Sequence, residues 1–268
     1  DFNILERKLI FGSLLVGLSI PLLWPAAANA DEAEGLRIAT ERKSRNSGWE
    51  DTVASTTMVL RDARGKESER ELRVYTLERV EEGDKSLTVF ESPADVKGAA
   101  FLSFSNTLTP DDQWMYLPKV KRVKRIATQN KSGPFMSSEF AYEDMTSFEL
   151  EKFKFDYTGD DEVEDQDVFV VEQTPVDQYS GYSKQIAYID KEHYRLLKMD
   201  FFDKKGDLLK TLILDDYELY LDAYWRPHTS EMFNEQTGKS TAMYINDIEF
   251  KTGLKDSDLD KDSLKRAR

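Results

Sequence analysis

Apolar and polar residues alternate with a period of two along most of this chain. In 151–157, "EKFKFDY", Phe153, Phe155 and Tyr157 interleave with Lys152, Lys154 and Asp156, the signature of a half-buried antiparallel strand. Segments of strand character follow at 53–61, 69–79, 85–91, 99–105, 112–117, 120–127, 168–174, 183–190, 195–203, 208–220, 224–235 and 240–250. Several are separated by short polar stretches centred on glycine, "ARGK" at 63–66, "EEGD" at 81–84, "KKGD" at 204–207 and "QTGK" at 236–239. A tight hairpin needs a residue there that tolerates positive φ. The pattern predicts one large antiparallel meander.

Helical periodicity is confined to "DEAEGLRIATERKSR" from Asp31, a turn near "YEDMTSF", and the C-terminal "DSDLDKDSLKRAR". The last places acids early and bases late, as the helix dipole favours. The expected fold class is therefore mainly β (α+β). Strand twist accumulates across so long a sheet and makes it curl or close. The resulting concave face is either filled by its own side chains or left as an apolar cavity under a lid.

The first thirty residues stand apart. "ERK" at 6–8, the apolar run Leu9 to Leu23 and "AAANA" before Asp31 have the layout of a secretory signal. Gly12, Gly17 and Pro21 interrupt the run, which falls short of the roughly 20 residues that cross a bilayer. A retained anchor is the alternative reading. Residues 31–268 are expected to form a single mature domain, exported and soluble after cleavage.

Cysteine is absent, which excludes a thiolate metal site, a disulfide framework, a thiol nucleophile and lipid attachment through cysteine. The formal net charge of −14 opposes nucleic-acid binding, because a phosphate backbone would be repelled. His193 and His228 are far apart and lack metal-ligand spacing. The acid pairs Asp111–Asp112 in "TPDDQ" and Asp160–Asp161 in "TGDDE" are turn-like, and Asp215–Asp216 would point to opposite faces of a strand. With no phosphate loop, nucleophile elbow or zinc motif, neither enzyme activity, cofactor nor metal is expected.

Two segments depart from the background. "KVKRVKRIATQNK", 119–131, carries Lys119, Lys121, Arg122, Lys124, Arg125 and Lys131 and no acid. It reads either as an edge strand protected by positive charge or as a docking patch for an acidic partner or anionic headgroup. "GPFMSSEFAYEDM", 133–145, gathers Phe135, Met136, Phe140, Tyr142 and Met145 in a loop. It is either ordinary packing or a lid over an apolar space, where thioethers and rings adapt to a flexible ligand.

These segments also carry a resemblance. "FESPADVKGAAFLSF", "DDQWMYLPKVKRVKRIA" and "GPFMSSEFAYEDM" resemble the LolA-like family of outer membrane lipoprotein-sorting proteins of Gram-negative and related bacteria. That family typically shows "DVKG", "YLP" with a basic run, and "FMGSDFSYEDM". Ser137 and Ser138 here replace Gly-Ser, and Glu139 replaces Asp.

The resemblance implies a strongly curved antiparallel sheet, an unclosed LolA/LolB-like barrel with a few helices and loops over its concave apolar face. It implies a monomeric periplasmic carrier that shelters acyl chains of lipoproteins or lipids on the way to the outer membrane, with a membrane exporter of the resistance-nodulation-division (RND) type as partner. The alternative is a non-carrier module that docks on such an exporter. The expected cavity and lid residues are Leu102, Phe104, Met115, Leu117, Phe135, Met136, Phe140, Tyr142, Met145, Phe153 and Phe155, with Gly133-Pro134 as hinge. Lys119, Lys121, Arg122, Lys124 and Arg125 are expected to hold a headgroup or partner. Alternation in "WMYLP" allows either Met115 and Leu117 or Trp114 and Tyr116 to face inward.

Overall fold

The computed structural model describes residues 26–266. The predicted signal falls mostly on residues 1–25, outside the described residues. Helix α1 (Ala26–Arg45) is followed by β1 (Asp51–Arg61), β2 (Glu67–Leu77), β3 (Lys85–Ser92), β4 (Ala100–Phe104), β5 (Asp112–Leu117) and β6 (Arg122–Ile126). A second run comprises β7 (Phe153–Val163), β8 (Gln166–Pro175), β9 (Lys184–Asp190), β10 (Leu196–Phe202), β11 (Leu208–Tyr220), β12 (Tyr224–Asn234) and β13 (Ser240–Phe250).

All thirteen strands form one sheet in the order β6-β5-β4-β3-β2-β1-β13-β12-β11-β10-β9-β8-β7. Each strand pairs antiparallel with its sequence neighbour, and the two runs are joined where β1 pairs with β13, Thr52 opposite Phe250 and Arg61 opposite Ser240. The expected meander is present within each run, but it is not continuous, because β6 and β7 do not pair and the chain's first and last strands do. The four predicted hairpin glycines, Gly65, Gly83, Gly206 and Gly238, all have positive φ.

β6 and β7 are the two edges of the sheet, and the barrel stays unclosed between them. One connection, residues 127–152, links these edges. Ion pairs cross the opening: Lys131 Nζ to Asp177 Oδ2 at 2.9 Å, and Lys152 to Asp111. The first ties the connection to the end of β8 and the second ties the start of β7 to the start of β5, so the seam is fastened without a β-ladder.

Two apolar clusters lie on the inner face. One gathers Met58, Leu72, Phe90, Phe101, Met115 and Phe135 from β1–β5 and the connection. The other gathers Phe140, Phe155, Val171, Ile189, Met199 and Met232 from the connection and β7–β12, together with Ile38 and Ala39 of α1. Met145 and Met243 touch both. Helix α1 lies against β7 with Gly35, Ile38 and Ala39 buried. A Cβ on Gly35 would come within 2.8 Å of the Tyr157 backbone nitrogen, so only glycine permits this approach.

A third cluster occupies the outer face of β3–β5, where Leu87, Val89, Leu102 and Trp114 pack under Leu259 and Leu264 of the C-terminal segment. That segment was expected to form one helix. It is instead broken into a 3-10 turn (Asp256–Asp258) and a short helix α2 (Ser263–Arg266). Asp258 accepts from the Lys255 backbone N–H at 2.8 Å and Asp260 from that of Ser263 at 2.8 Å. Each carboxylate caps its own turn, which competes with a continuous helix.

The reading of "TGDDE" as a turn is also corrected, because β7 runs through it to Val163 with a register shift between Tyr157 and Gly159. Gly159 has φ +141, and the irregularity lets the strand continue. Asp160 accepts from the Tyr157 hydroxyl at 2.8 Å and pairs with Lys191 at 2.7 Å.

Candidate functional site

The inner face is incompletely filled. A cavity of about 960 Å³ lies between β1–β3, β10–β13 and the C-terminal end of α1; Ala54, Leu72, Val74, Leu214, Met243 and Ile245 contribute its apolar wall. A second, of about 770 Å³, lies under the seam and is bordered by Phe153, Val176, Met199, Phe201 and Met232. Both sit at the upper end of the roughly 300–1,000 Å³ typical of ligand sites. Leu108 and Val176, 84% and 55% exposed, stand at the rim of the seam cavity, so an apolar lip meets solvent there.

Arg42, Phe140, Asp144, Thr146, Ser147, Phe148 and Leu212 border both cavities. The partition between them is thus the second half of the connection, together with α1.

The chemistry of that connection follows residue by residue. Its chain doubles back through a Pro134–Ala141 bridge, with the Phe135 N–H donating to the Phe140 carbonyl at 2.7 Å and the Tyr142 N–H to the Gly133 carbonyl at 3.0 Å. Phe135 is fully buried against Phe101 and Phe90, ring centroids 5.0 and 5.9 Å away. Met136 and Ser137 take left-handed backbone conformations, φ 48 and 66, and Arg70 Nη1 donates to the Met136 carbonyl at 2.6 Å.

The acids of "YEDM" hold the other end. Glu143 accepts from the Ser180 hydroxyl and the Gly181 N–H, both at 2.7 Å, while burial pushes its pKa up. Asp144 accepts from the Ala141 N–H at 2.7 Å, the Tyr182 hydroxyl at 2.8 Å and Lys210 Nζ at 2.9 Å. Burial also drives the Tyr182 phenol well above its ordinary value. The segment expected as a hinged lid is therefore a plug, bonded down at both ends.

Two further acids and one base stand near the cavities. Glu149 pairs with Lys43. Asp84 accepts from the Arg79 N–H at 3.1 Å, and its pKa is pushed up to about 6, chiefly by burial and then by the nearby Glu149 and Glu78. Arg42 is different. Its Nη1 is sealed from solvent and has no hydrogen-bond partner among the described residues.

The structure separates the residues singled out in the sequence. Met115, Phe135, Met136, Tyr142 and Met145 come together in or against the β1–β5 cluster. Phe140, Phe153 and Phe155 gather in or against the β7–β12 cluster. Phe140 borders both cavities, Met145 the larger and Phe153 the one under the seam. Leu102 and Phe104 lie on the outer face with Trp114, and Leu117 is 38% exposed at a strand end. The "WMYLP" ambiguity resolves with Met115 inward and Trp114 and Tyr116 packed outward.

Lys119, Lys121, Arg122, Lys124 and Arg125 are all exposed on or beside the edge strand β6. Arg125 pairs with Asp112 at 2.5 Å. His193 packs at a tilt against Trp225, ring centroids 4.9 Å apart, and His228 Nε2 shares a 2.6 Å hydrogen bond with the Tyr220 hydroxyl.

Sequence reasoning missed Arg42. Its signal was present: Gly35, Ile38 and Ala39 form the buried stripe of α1, and Arg42 follows at the spacing where the stripe calls for another apolar residue.

A family model described as an uncharacterized protein matches residues 82–266. A crystal structure from Vibrio parahaemolyticus, of a domain assigned by name to outer membrane lipoprotein sorting, is 54% identical, covering 88% of this chain and 100% of its own, with a TM-score of 0.86. A DUF1329 family protein from Desulfovibrio piger is 25% identical over 87% of this chain and 99% of its own, TM-score 0.82. A LolA superfamily protein from Nitrosomonas europaea shares the fold at 19% identity, covering 85% of this chain and 98% of its own, TM-score 0.69. No protein of curated function matches the sequence.

Proposed function

Because the chain belongs to the LolA-like family of outer membrane lipoprotein-sorting proteins, we propose that it is a non-enzymatic periplasmic carrier that takes acyl chains of lipoproteins or lipids into the cavities of its inner face. The observation that carries this reading is the pair of adjoining cavities, about 960 and 770 Å³, left between the sheet and its cover. Keeping a sixteen-carbon chain from water is worth on the order of 12 kcal/mol at roughly 0.8 kcal/mol per CH₂, so a shuttle needs such a space. A concave face packed solid would have favoured a docking module instead.

The apolar lip at Leu108 and Val176 supports the seam as the way in, because the edge strands β6 and β7 do not pair there. The exposed bases of β6 suit an acidic surface on a donor or acceptor, such as an RND-type inner-membrane transporter, with steering as their contribution.

Native mass spectrometry of protein purified without detergent tests the reading. A bound lipid or acylated peptide is expected, and Leu212→Trp, which fills space between the cavities without adding charge, should reduce its occupancy in a protein that still folds. An apo mass with no uptake of added fatty acid or phospholipid would refute a carrier.

A further inference from the structure

The carrier reading says nothing of the head of the cargo. Several buried acids along the cavities are held within the protein: Asp144 by Lys210, Glu149 by Lys43, Glu143 by Ser180 and Gly181. Two side chains there keep a buried atom without a hydrogen-bond partner among the described residues, the neutral Gln173 through its Oε1 and the charged Arg42 through its Nη1. Arg42 borders both cavities at their junction, and no acid lies within ion-pair distance among the described residues.

Its surroundings offset the charge only in part. The guanidinium carbon stands 4.5 Å from the centroid of Phe148, a cation–π contact. A neighbouring titratable group is the Tyr217 phenol, whose own pKa is pushed up by burial, so it is neutral at physiological pH. Burial lowers the guanidinium pKa to about 10, which still leaves Arg42 charged there. A buried charge without a counter-ion is costly. Its planar fork of donors fits a carboxylate or phosphate better than any neutral head.

We propose that Arg42 is the head-binding residue of the cavity and that the cargo is an acyl lipid with an oxyanionic head, carboxylate or phosphate, which neutralises this guanidinium while its hydrocarbon occupies the cavities. Thr146 and Ser147 border the same junction, but their hydroxyls already donate to the Glu143 carbonyl and to Glu149, which leaves Arg42 as the donor for the head. The inference rests on the carrier reading and narrows it. A neutral acyl head accepts a weaker hydrogen bond from Arg42 and leaves its charge unneutralised, so the site discriminates by charge as well as by chain.

Isothermal titration of the full protein with decanoate, decyl phosphate and 1-decanol tests this at equal chain length. At least one anion should bind about 10- to 100-fold more tightly than the alcohol, the range expected of a hydrogen bond to a charged group. The anion that gains most identifies the head as carboxylate or phosphate. In Arg42→Met the advantage should fall to near one while decanol affinity holds, and Arg42→Lys should retain part of it.

Equal affinity for alcohol and anions in the wild type overturns the proposal while leaving the carrier reading intact. So does an undiminished anion preference in folded Arg42→Met. If none of the three binds, the carrier reading itself fails. Should Arg42→Met not fold, the wild-type comparison and Arg42→Lys decide the matter.

Discussion

Lys210→Met should be among the most damaging single substitutions on the inner face. Lys210 and Asp144 form an ion pair at 2.9 Å with side chains only 6% and 7% exposed. Lys210 also donates to the Glu139 carbonyl at 3.0 Å and lies over the rings of Tyr182 and Phe201, 5.0 and 5.4 Å from their centroids. Removing one partner of a buried pair costs about 3–5 kcal/mol, because the other charge stays buried and unmatched. Asp144 keeps the Ala141 N–H and the Tyr182 hydroxyl, which points to the lower end, about 3 kcal/mol. For a chain of this size that is a fall in Tm of about 6–12 °C. The double variant Lys210→Met/Asp144→Asn removes both charges but keeps an acceptor for Ala141 and Tyr182, so it should recover most of the loss. Thermal and urea unfolding of the wild type, Lys210→Met, Asp144→Asn and the double variant close the cycle, and limited proteolysis should show residues 131–152 opening first in Lys210→Met. A shift under about 2 °C for Lys210→Met, or a double variant no better than the single, would show that the pair does not hold the plug.

Two further expectations concern stability. Asp84 has its pKa raised to about 6 in the folded protein, so the stability it contributes is fully present below its ordinary value of 3.8 and lost as pH rises through about 6. Asp84→Asn, which can still accept from the Arg79 N–H, should therefore stabilise by about 1–2 kcal/mol at pH 7–8 and by almost nothing at pH 4; urea midpoints at the two pH values read this, and a gain independent of pH contradicts it. Gly35→Ala would ordinarily gain about 1 kcal/mol in a helix interior, but the new methyl would press on the Asp156–Tyr157 backbone at 2.8–3.0 Å. The net effect should be a loss of about 1–2 kcal/mol, and a neutral or stabilised variant in thermal unfolding would show that α1 does not lie so close to β7.

Strand existence and the pairing of neighbours within each run were legible because period-two alternation and hairpin glycines are local signals that tertiary structure rarely overrules; the β1–β13 ladder was not, because no local signal joins strands so far apart in sequence. The facing of "WMYLP" was not, since either parity yields an apolar face and both faces of β5 are covered, one by Phe135 and the other by Leu259 and Leu264. That double cover also explains why Leu102 and Phe104, chosen for apolar type, lie away from the cavities. The C-terminal segment was too polar to announce itself as a second layer. "GPFMSSEFAYEDM" suggested soft cover, but the bonds that fix it come from Arg70, Ser180, Tyr182 and Lys210, residues distant in sequence. Arg42 was visible as a charge on an apolar stripe, yet only the cavities give it meaning.

The splice between β1 and β13 bears on how the chain reaches this form. Every other ladder joins neighbours in sequence, so each hairpin can close as soon as its own two strands are free to pair. β1 cannot complete its pairing until β13, which starts roughly 180 residues further along the chain, is free as well. Until then one long border of β1, opposite its β2 partner, stands open to any other strand. The chain is thus most exposed to mispairing and aggregation just before β13 arrives, and a bound holdase would protect it most at the first strand rather than at the last.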